Sequence, residues 1–352
     1  MDSILNKYRT HLQKRFLFSG ITLVLLAVFI VAGITLGSSR IPFRKALAIM
    51  MGAPDEVYAR IIWSIRIPRV LAAVVAGAAL AVSGAAMQSI LKNPLGSPFT
   101  LGISQAAAFG AAFAIIFLGG GSIQSSSTDA VIMNNPYLVS SCAFLWSLIA
   151  TGVILLMAYY RGATPETMVL TGIVTGSLFN AATTALEYFA NDLQLASVVF
   201  WTFGDLGRAS WRDFLILAIG AIPVTLYFIR NSWNYNALDT GDETAKSLGV
   251  NINRVRNSGM VVASLATAMV VSFFGIIAFV GLAAPHIVRR IIGSDGRFLV
   301  PSSALFGGLF LLVADTAART VIAPVVLPVG ILTSFLGGPL FLYLLIKGLR
   351  RR

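Results

Sequence analysis

Long runs without a charged side chain constrain this chain more than any other feature of its sequence. Several stretches of 16 to 32 residues contain no Asp, Glu, Lys or Arg. Only 11% of the 352 residues are charged and 57% are apolar, whereas a soluble domain carries about 25% charged residues. About 20 apolar residues in a helix are enough to cross the hydrocarbon core of a bilayer. The runs therefore predict a polytopic membrane protein built from helices.

The charge-free runs divide into ten predicted spans. The run 257–288 has 32 residues, which as one helix would be about 48 Å long and would exceed the membrane thickness. It must therefore break, and the segment Ser272-Phe273-Phe274-Gly275 is the expected position. The predicted spans are 16–36, 70–91, 99–120, 137–160, 167–186, 214–229, the two parts of 257–288, 298–314 and 327–346.

Basic residues at both ends of the chain set the expected orientation. They are Lys7, Arg9, Lys14 and Arg15 at the start, and Lys347 and Arg350 to Arg352 at the end. Cytoplasmic segments carry the excess of Lys and Arg, so both termini are expected in the cytoplasm. The first external segment departs from this rule, because it holds six basic residues: Arg40, Arg44, Lys45, Arg60, Arg66 and Arg69.

Small residues recur every four positions in the second and third spans. The two ladders are Ala73, Gly77, Ala81 and Ala85, and Gly102, Ala106 and Gly110. Helices in lipid gain contact by close backbone approach at such faces, so both helices are predicted to lie inside the bundle. The single cysteine, Cys142, lies in an apolar run and is interpreted as a small buried hydrophobe.

Four strings occur in order along the chain: RIPRVLAAVVAGAALAVSGAAMQSILKNPLGSP, SFFGIIAFVGLAAPHIVRR, LVADTAAR and LPVGILTSFLGGPLFLYLL. Together they closely resemble the FecCD-type permeases, the membrane subunits of bacterial ABC importers for cobalamin, haem and ferric siderophores. The resemblance implies an all-α type II importer bundle of ten transmembrane helices with short interfacial and coupling helices. It implies one permease domain, 1–352, with helices one to five at about 16–190, an inverted second half at about 212–348, and a coupling loop at about 231–256.

Three arginines at the expected outer face are candidates for docking an external substrate-binding protein. Arg66 and Arg69 lie in SIRIPR, and Arg319 follows Asp315 by four residues. The resemblance implies that arginines at these positions receive carboxylates of the binding protein, and the planar guanidinium group suits that task. The alternative is that Arg66 and Arg69 anchor the helix at the membrane surface, and that Arg319 pairs with Asp315 along one helix face.

The polar segment ALDTGDETAKSLGVNINRVRN resembles the part of an importer that presses into its ATPase. A short helix is predicted from Asp242 to Leu248 and stopped by Gly249. The candidate coupling residues are Asp242, Glu243, Ala245, Lys246, Leu248 and Gly249. Within GDETAKS an alanine stands where a phosphate loop needs glycine before the lysine. ATP hydrolysis is therefore expected in a separate cytoplasmic ATPase dimer, although an ordinary charged loop is the alternative for this segment.

Two turns match positions that narrow the cytoplasmic end of the translocation pathway in members of this family. The candidate gate residues are Asn93 and Leu95 in the first turn, and Thr164 and Pro165 in the second, where proline departs from the short hydroxyl residues expected. The string NDLQLASVVFWTFGDLGRASW resembles a short interfacial helix, with Trp201 and Trp211 expected at the headgroup level.

The residues favour an importer permease over two other classes. An ion-coupled secondary transporter would place an acidic residue or histidine near the bilayer centre, whereas Glu187 and Asp315 are expected at span ends. An intramembrane enzyme needs a catalytic constellation, for which two histidines, His11 and His286, and one cysteine are too few. We therefore expect no catalytic residues, no metal site and no directly bound cofactor. The expected partners are a second copy of the chain, the ATPase dimer, a substrate-binding protein and a metal chelate, and no nucleic acid. The protein is expected in the lipid bilayer of the cell (inner) membrane. The identity of the chelate stays open.

Overall fold

The computed structural model describes residues 2–37, 41–120 and 135–349, and the regular elements within these ranges are helical. Arg40 and Arg350 to Arg352, which entered the charge argument, lie outside the described residues. The described helices are α1 Asp2–Thr35, α2 Phe43–Met50, α3 Glu56–Ile90, α4 Ile103–Ile116, α5 Pro136–Arg161, α6 Pro165–Tyr188, α7 Asp192–Thr202, α8 Trp211–Arg230, α9 Ser232–Asp239, α10 Asp242–Ser247, α11 Ile252–Phe274, α12 Val280–Ile292, α13 Gly296–Thr320 and α14 Val329–Leu349.

The predicted all-α membrane fold is confirmed. Within the described ranges, 7 helices are long and apolar enough to cross a membrane: α1, α3, α5, α6, α8, α11 and α13. The remaining predicted spans coincide with α4 and α12, which are shorter, and with α14. The total of ten spans therefore stays a prediction.

The predicted break in the long apolar run is also confirmed. Helix α11 ends at Phe274, and Gly275 has φ +74°, a left-handed conformation that glycine adopts without steric cost. The next helix begins at Val280. The carbonyl of Phe274 accepts a hydrogen bond of 2.8 Å from the backbone amide of Asp205, so the end of the broken helix is satisfied inside the protein rather than in lipid.

Helix α3 forms the centre of the bundle because its small residues allow two neighbouring helices to approach closely. A Cβ atom at Gly77 would overlap the backbone of Gly307 in α13, and one at Gly84 would overlap the carbonyl of Gly281 in α12. Of its most apolar window, 78% is buried inside the chain. The first small-residue ladder is therefore confirmed as a packing face.

Helix α4 packs in the same way on the other side of the bundle. A Cβ at Gly102 would lie 2.7 Å from the Cα of Gly176 in α6, and one at Gly110 would lie 2.5 Å from the carbonyl oxygen of Cys142 in α5. Cys142 is only partly buried, so its position is set by this backbone contact as much as by burial of the thiol. The second ladder is confirmed as a packing face.

The expected short helix between the two halves is present as α7, and its tryptophan, Trp201, is buried in the protein core. Asn191 and Gln194 form a capping box that starts the helix. The Trp201 side chain is only 1% exposed and packs among Val198, Val271 and neighbouring apolar residues. The protein core therefore covers the indole ring of Trp201, and its position at the headgroup level stays a prediction. Trp211 is 38% exposed.

Candidate functional site

The first candidate site is the outer arginine cluster, formed by Arg66, Arg69, Arg319 and Asp315. Arg69 Nε and Nη2 donate to Asp315 Oδ1 at 2.9 and 2.8 Å, and Arg319 Nε donates to Asp315 Oδ2 at 3.0 Å. The Asp315 side chain is 0% exposed. One buried carboxylate of α13 therefore binds Arg69 of α3 and Arg319 of its own helix.

The same cluster closes the C-terminal end of α1. Arg66 Nη1 donates to the carbonyls of Ile34 and Thr35 at 2.7 and 2.8 Å. Arg319 Nη1 donates to the carbonyls of Gly33 and Leu36 at 3.1 Å each. The last carbonyls of a helix have no partner within the helix, and cations at this end are favoured by the helix dipole. The cluster therefore holds three helices together at their outer ends.

The three predicted docking arginines are brought together, but all are buried, with residue exposures between 5% and 7%. Arg69 Nη2 also lies 3.5 Å from Asp205, whose side chain is 35% exposed. The alternative interpretation of Arg319, pairing with Asp315 along α13, is confirmed by the 3.0 Å bond. A docking role for these side chains stays a prediction. Replacing Arg69 with glutamate would place a second carboxylate beside Asp315. Such a variant is expected to fold poorly, so a loss of docking in it would not by itself show that Arg69 binds the partner.

The second candidate site is the predicted coupling segment, which forms helix α10. The helix covers Asp242–Ser247, one residue shorter than predicted, and Leu248 follows as its C-terminal cap. Gly241 and Gly249 flank it with φ +119° and +80°, a region that favours glycine. Ala245 is buried, whereas Glu243, Lys246 and Leu248 are exposed. The segment is thus a short helix with a turn at each end and one face free for a partner.

The Asp242 carboxylate binds two cations, and we call Lys92, Asp242 and Arg256 the Asp242 joint. Lys92 Nζ lies 2.6 Å and Arg256 Nη2 lies 2.9 Å from Asp242 Oδ1. Burial alone would raise the pKa of the Asp242 carboxyl, but the hydrogen bonds from Lys92 and Arg256 outweigh it and lower the pKa below its ordinary value. Arg256 Nη1 also donates to the carbonyl of Ala163 at 3.1 Å.

Each predicted gate turn lies beside one member of this joint. In the first, Lys92 precedes Asn93, whose Oδ1 accepts the amide of Leu95 at 2.9 Å in a compact turn. In the second, Ala163 precedes Thr164, whose Oγ1 accepts the amide of Thr167 at 3.2 Å and caps α6. Pro165 occupies the first turn of α6, where proline loses no helix hydrogen bond. The proline that departs from the family pattern is therefore compatible with the helix start, and the gate role stays a prediction.

A cleft of about 430 Å³ opens between the coupling helix and the second gate turn. Its walls include Ala163, Thr164, Asp242, Lys246 and Arg256. The buried Arg256 side chain, 3% exposed, forms part of the inner wall. The cleft leaves one side of the coupling segment open, whereas Ala245 of the same segment is buried in the hydrophobic core.

Helix α6 carries a polar stripe, which we define as Ser177, Asn180 and Thr184. These residues are spaced by three and four positions, and each is exposed on the surface of the chain. Ser177 and Asn180 also line a cleft of about 420 Å³ against Thr100 and Gln105. Polar side chains within a span normally face a bundle interior or a water-filled cavity. Exposure of this stripe to lipid would therefore be unfavourable.

The comparisons with known proteins agree with this architecture. The sequence model of the FecCD transport family matches residues 25–347. The chain belongs to the FecCD transport family. It is 53% identical over 345 residues to a Methanocaldococcus jannaschii protein named as an ABC transporter permease, covering 98% of each chain. It is 34% identical to the hemin transport system permease HmuU of Yersinia pestis, covering 96% of this chain and 97% of that one. It is also 34% identical to the vitamin B12 import permease BtuC of Vibrio cholerae, covering 82% and 83%.

The three-dimensional comparison supports the same assignment for this FecCD protein. A solved structure described as an inward-facing conformation of a metal-chelate type ABC transporter matches with a TM-score of 0.81 and 27% identity. The match covers 94% of this chain and 98% of the other. The resemblance stated from the four sequence strings is therefore confirmed, together with the type II importer permease fold.

Sequence reasoning missed the role of Lys92 and Arg256 in this FecCD chain. Both are more than 10 residues away from Asp242 in sequence, so no local pattern relates them. It also missed that Asp315 pairs with Arg69 across two helices. One signal was available, because a charged residue near a membrane-spanning segment requires a partner, but a single sequence does not say which partner it is.

Proposed function

We propose that this chain is the membrane permease of an ATP-driven importer that carries a metal chelate, such as cobalamin, haem or a ferric siderophore, into the cytoplasm. The observation that carries the proposal is alignment along most of the chain with permeases whose names state hemin and vitamin B12 as cargo. Complete alignment matters because a fold alone does not define a function. Here the gate turns, the coupling segment and the outer cluster all lie within residues 25–347, which match the family model.

A dimer with the pathway at its interface accounts for the polar stripe on α6. In a single chain Ser177, Asn180 and Thr184 would face lipid, where polar side chains are costly. A second copy placed against this face would convert the stripe and its 420 Å³ cleft into one wall of a water-filled path. The proposed assembly is therefore a homodimer in the cell (inner) membrane, with both termini in the cytoplasm.

Helix α10 supports a partner ATPase on the cytoplasmic face. Leu248 is 66% exposed at the end of this short polar helix, and it is flanked by exposed Lys246 and Glu243. An apolar anchor surrounded by polar side chains is the common anatomy of a protein interface. We therefore propose that an ATPase dimer receives α10 in a groove, and that the permease itself binds no cofactor.

The proposed docking face for a substrate-binding protein is the outer end of α3 and α13. The donors of the outer arginine cluster are largely used within the chain, so docking carboxylates would approach a cluster that is already organised. Preorganised arginines lose little freedom on binding. The geometry required for docking would then depend on Asp315 as much as on the arginines themselves.

The ion-coupled alternative gains no support from the buried carboxylate. Asp315 lies within α13, but both of its oxygens accept hydrogen bonds from guanidinium groups. A carboxylate that is already bound by two cations has little capacity left to carry a proton or a sodium ion across the membrane.

The direct test is reconstitution of the chain in liposomes with its ATPase and its binding protein. We expect uptake of one class among cobalamin, haem and ferric siderophore, dependent on ATP hydrolysis and on the binding protein. Uptake of none of the three classes, or uptake that continues without nucleotide, would contradict the proposal. Vesicles containing a permease with the α10 residues 242–248 deleted provide the control for uncoupled leakage.

A further inference from the structure

The Asp242 joint connects three segments that are distant in sequence. Lys92 belongs to the first gate turn, Asp242 begins α10, and Arg256 lies in the first turns of α11 and binds the carbonyl of Ala163 before the second gate turn. The 2.6 and 2.9 Å contacts end on the same atom, Asp242 Oδ1. A single carboxylate oxygen is thus the shared point between the coupling helix and both turns.

The two cations differ in how firmly they are held. The Arg256 side chain is 3% exposed, whereas the Lys92 side chain is 34% exposed. Arg256 therefore provides a fixed anchor with planar, directional donors, and Lys92 provides a flexible contact. Lys92 itself has φ +47°, an uncommon conformation for a residue with a side chain. The turn keeps this lysine in a conformation that glycine would adopt more readily.

The flanking turns leave α10 with few other constraints. Gly241 and Gly249 have positive φ values at the two ends of the helix, and the cleft of about 430 Å³ separates one side from the bundle. Ala245 is the buried residue of the helix, and a single methyl group supplies little directional restraint. The Asp242 joint therefore determines how a displacement of α10 is passed to the gate turns.

We infer that Lys92 and Arg256 are positioning residues that tie the coupling helix to both gate turns through Asp242. The inference rests on the proposed function, because it assigns α10 the task of receiving motion from an ATPase. When α10 moves, the carboxylate moves with it and displaces the Lys92 turn and the Arg256 anchor together. One movement of α10 would then displace both gate turns together.

A role in stability alone makes a different prediction. The Lys92 pair is partly exposed, and exposed ion pairs contribute little to folding. Removing Lys92 should therefore leave the melting temperature nearly unchanged, although it should disturb the position of α10. Transport per ATP hydrolysed separates the two roles, since a purely structural pair would not alter that ratio without also altering stability.

The first measurement uses the purified chain alone, as a dimer in nanodiscs. The sequence has one cysteine, so Cys142→Ser provides a background for spin labels introduced by Glu243→Cys in α10 and Leu95→Cys in the first gate turn. An excess of unlabelled chain confines the measured pairs to single chains. We expect Lys92→Met or Asp242→Asn to shift and broaden the distance distribution, and Lys92→Arg to restore it.

Arg254 supplies the matched control for the anchor. It lies two residues before Arg256 on the same helix, is exposed, and donates its backbone amide only to Asn251. Arg256→Gln should change the distance distribution, whereas Arg254→Gln should not. An unchanged distance distribution in Lys92→Met, Asp242→Asn and Arg256→Gln would overturn the inference that the Asp242 joint positions α10, whatever the function of the protein.

The second measurement uses the permease with its ATPase and binding protein in liposomes. We expect Lys92→Met to lower the number of chelate molecules transported per ATP hydrolysed below the wild-type ratio, and Lys92→Arg to restore it. Altered distances with an unaltered ratio would overturn the role in transmission. Absence of ATP-dependent uptake by the wild-type complex would instead contradict the proposed function, and the distance measurement would still decide whether the joint positions α10.

Discussion

Replacing Asp315 with asparagine removes the negative charge from the centre of the outer arginine cluster. The carboxylate is fully buried and accepts three hydrogen bonds of 2.8 to 3.0 Å from Arg69 and Arg319. Asparagine has nearly the same shape, but it is neutral and can accept at only one of the two positions. Arg319 would then remain buried without its carboxylate partner and Arg69 would keep only the 3.5 Å contact to Asp205, which makes Asp315→Asn a test of charge rather than of volume.

The expected loss follows from the burial of the pair. Breaking a buried ion pair by removing one partner costs about 3–5 kcal/mol, because an uncompensated charge stays in a medium of low dielectric constant. Arg319 would retain its hydrogen bonds to the carbonyls of Gly33 and Leu36, which should keep the loss toward the lower end of that range. A change of this size is a large part of the stability of an ordinary protein.

Asp55, at the start of α3, provides a matched control. It pairs with Lys45 at 3.0 Å, and the two side chains are 29% and 42% exposed. Asp55 also caps the first turn of α3, a task that asparagine performs equally well. Asp55→Asn therefore removes only a partly exposed ion pair, and we expect little change in the stability of the protein.

The assay is equilibrium unfolding of the purified protein in mixed micelles with increasing sodium dodecyl sulfate, followed by circular dichroism. Asp315→Asn should shift the midpoint strongly toward lower denaturant, and Asp55→Asn should leave it nearly in place. Equal midpoints for the two variants would refute the reasoning, since the buried cluster would then contribute no more than an exposed pair.

Three further predictions follow from the packing and the charges. Gly84→Ala should prevent stable folding because its Cβ would overlap the carbonyl of Gly281, whereas Gly152→Ala has nothing within 4 Å and should fold normally; equal yields in detergent would contradict this. Asp295→Ala should cost about 1–2 kcal/mol, because it removes the cap of α13 together with the carboxylate contacts to Arg15, Asn236 and Arg297; this is measured as a lower melting midpoint, and no shift would count against these contacts. Because the pKa of Asp242 is lowered from 3.8, its contribution should be complete above that pH and lost only as the pH falls further. A shift of the spin-label distances between pH 8 and pH 5 would disagree with that charge state.

The spans and the breaks were predictable because they depend on local properties. Absence of charge over 16 to 32 residues determines which segments enter lipid, and Gly275 ends α11 through its own backbone conformation. Helix α10 and the glycine after it follow from the same kind of local signal. Close packing at Gly77 was predictable as a small-residue face, although its partner Gly307 was not.

The arrangement of the charged residues was not predictable, because it depends on contacts between distant segments. Lys92 meets Asp242, and Arg69 meets Asp315, only after the helices have packed. The burial of Trp201 was not predictable for a related reason. An amphipathic tryptophan near the membrane surface usually lies at the headgroups, but the core around Val271 covers this one, and its sequence neighbours do not show that.

The central claim is that this FecCD protein is a passive conduit moved by a separate ATPase. The most direct measurement compares chelate accumulation in liposomes that contain the permease alone with accumulation in liposomes that also contain the ATPase, in both cases with binding protein present and with imposed proton and sodium gradients. The account predicts accumulation above the external concentration only with the ATPase and hydrolysable ATP, and no effect of collapsing the gradients. Accumulation by the permease alone, abolished when a gradient is collapsed, would contradict it.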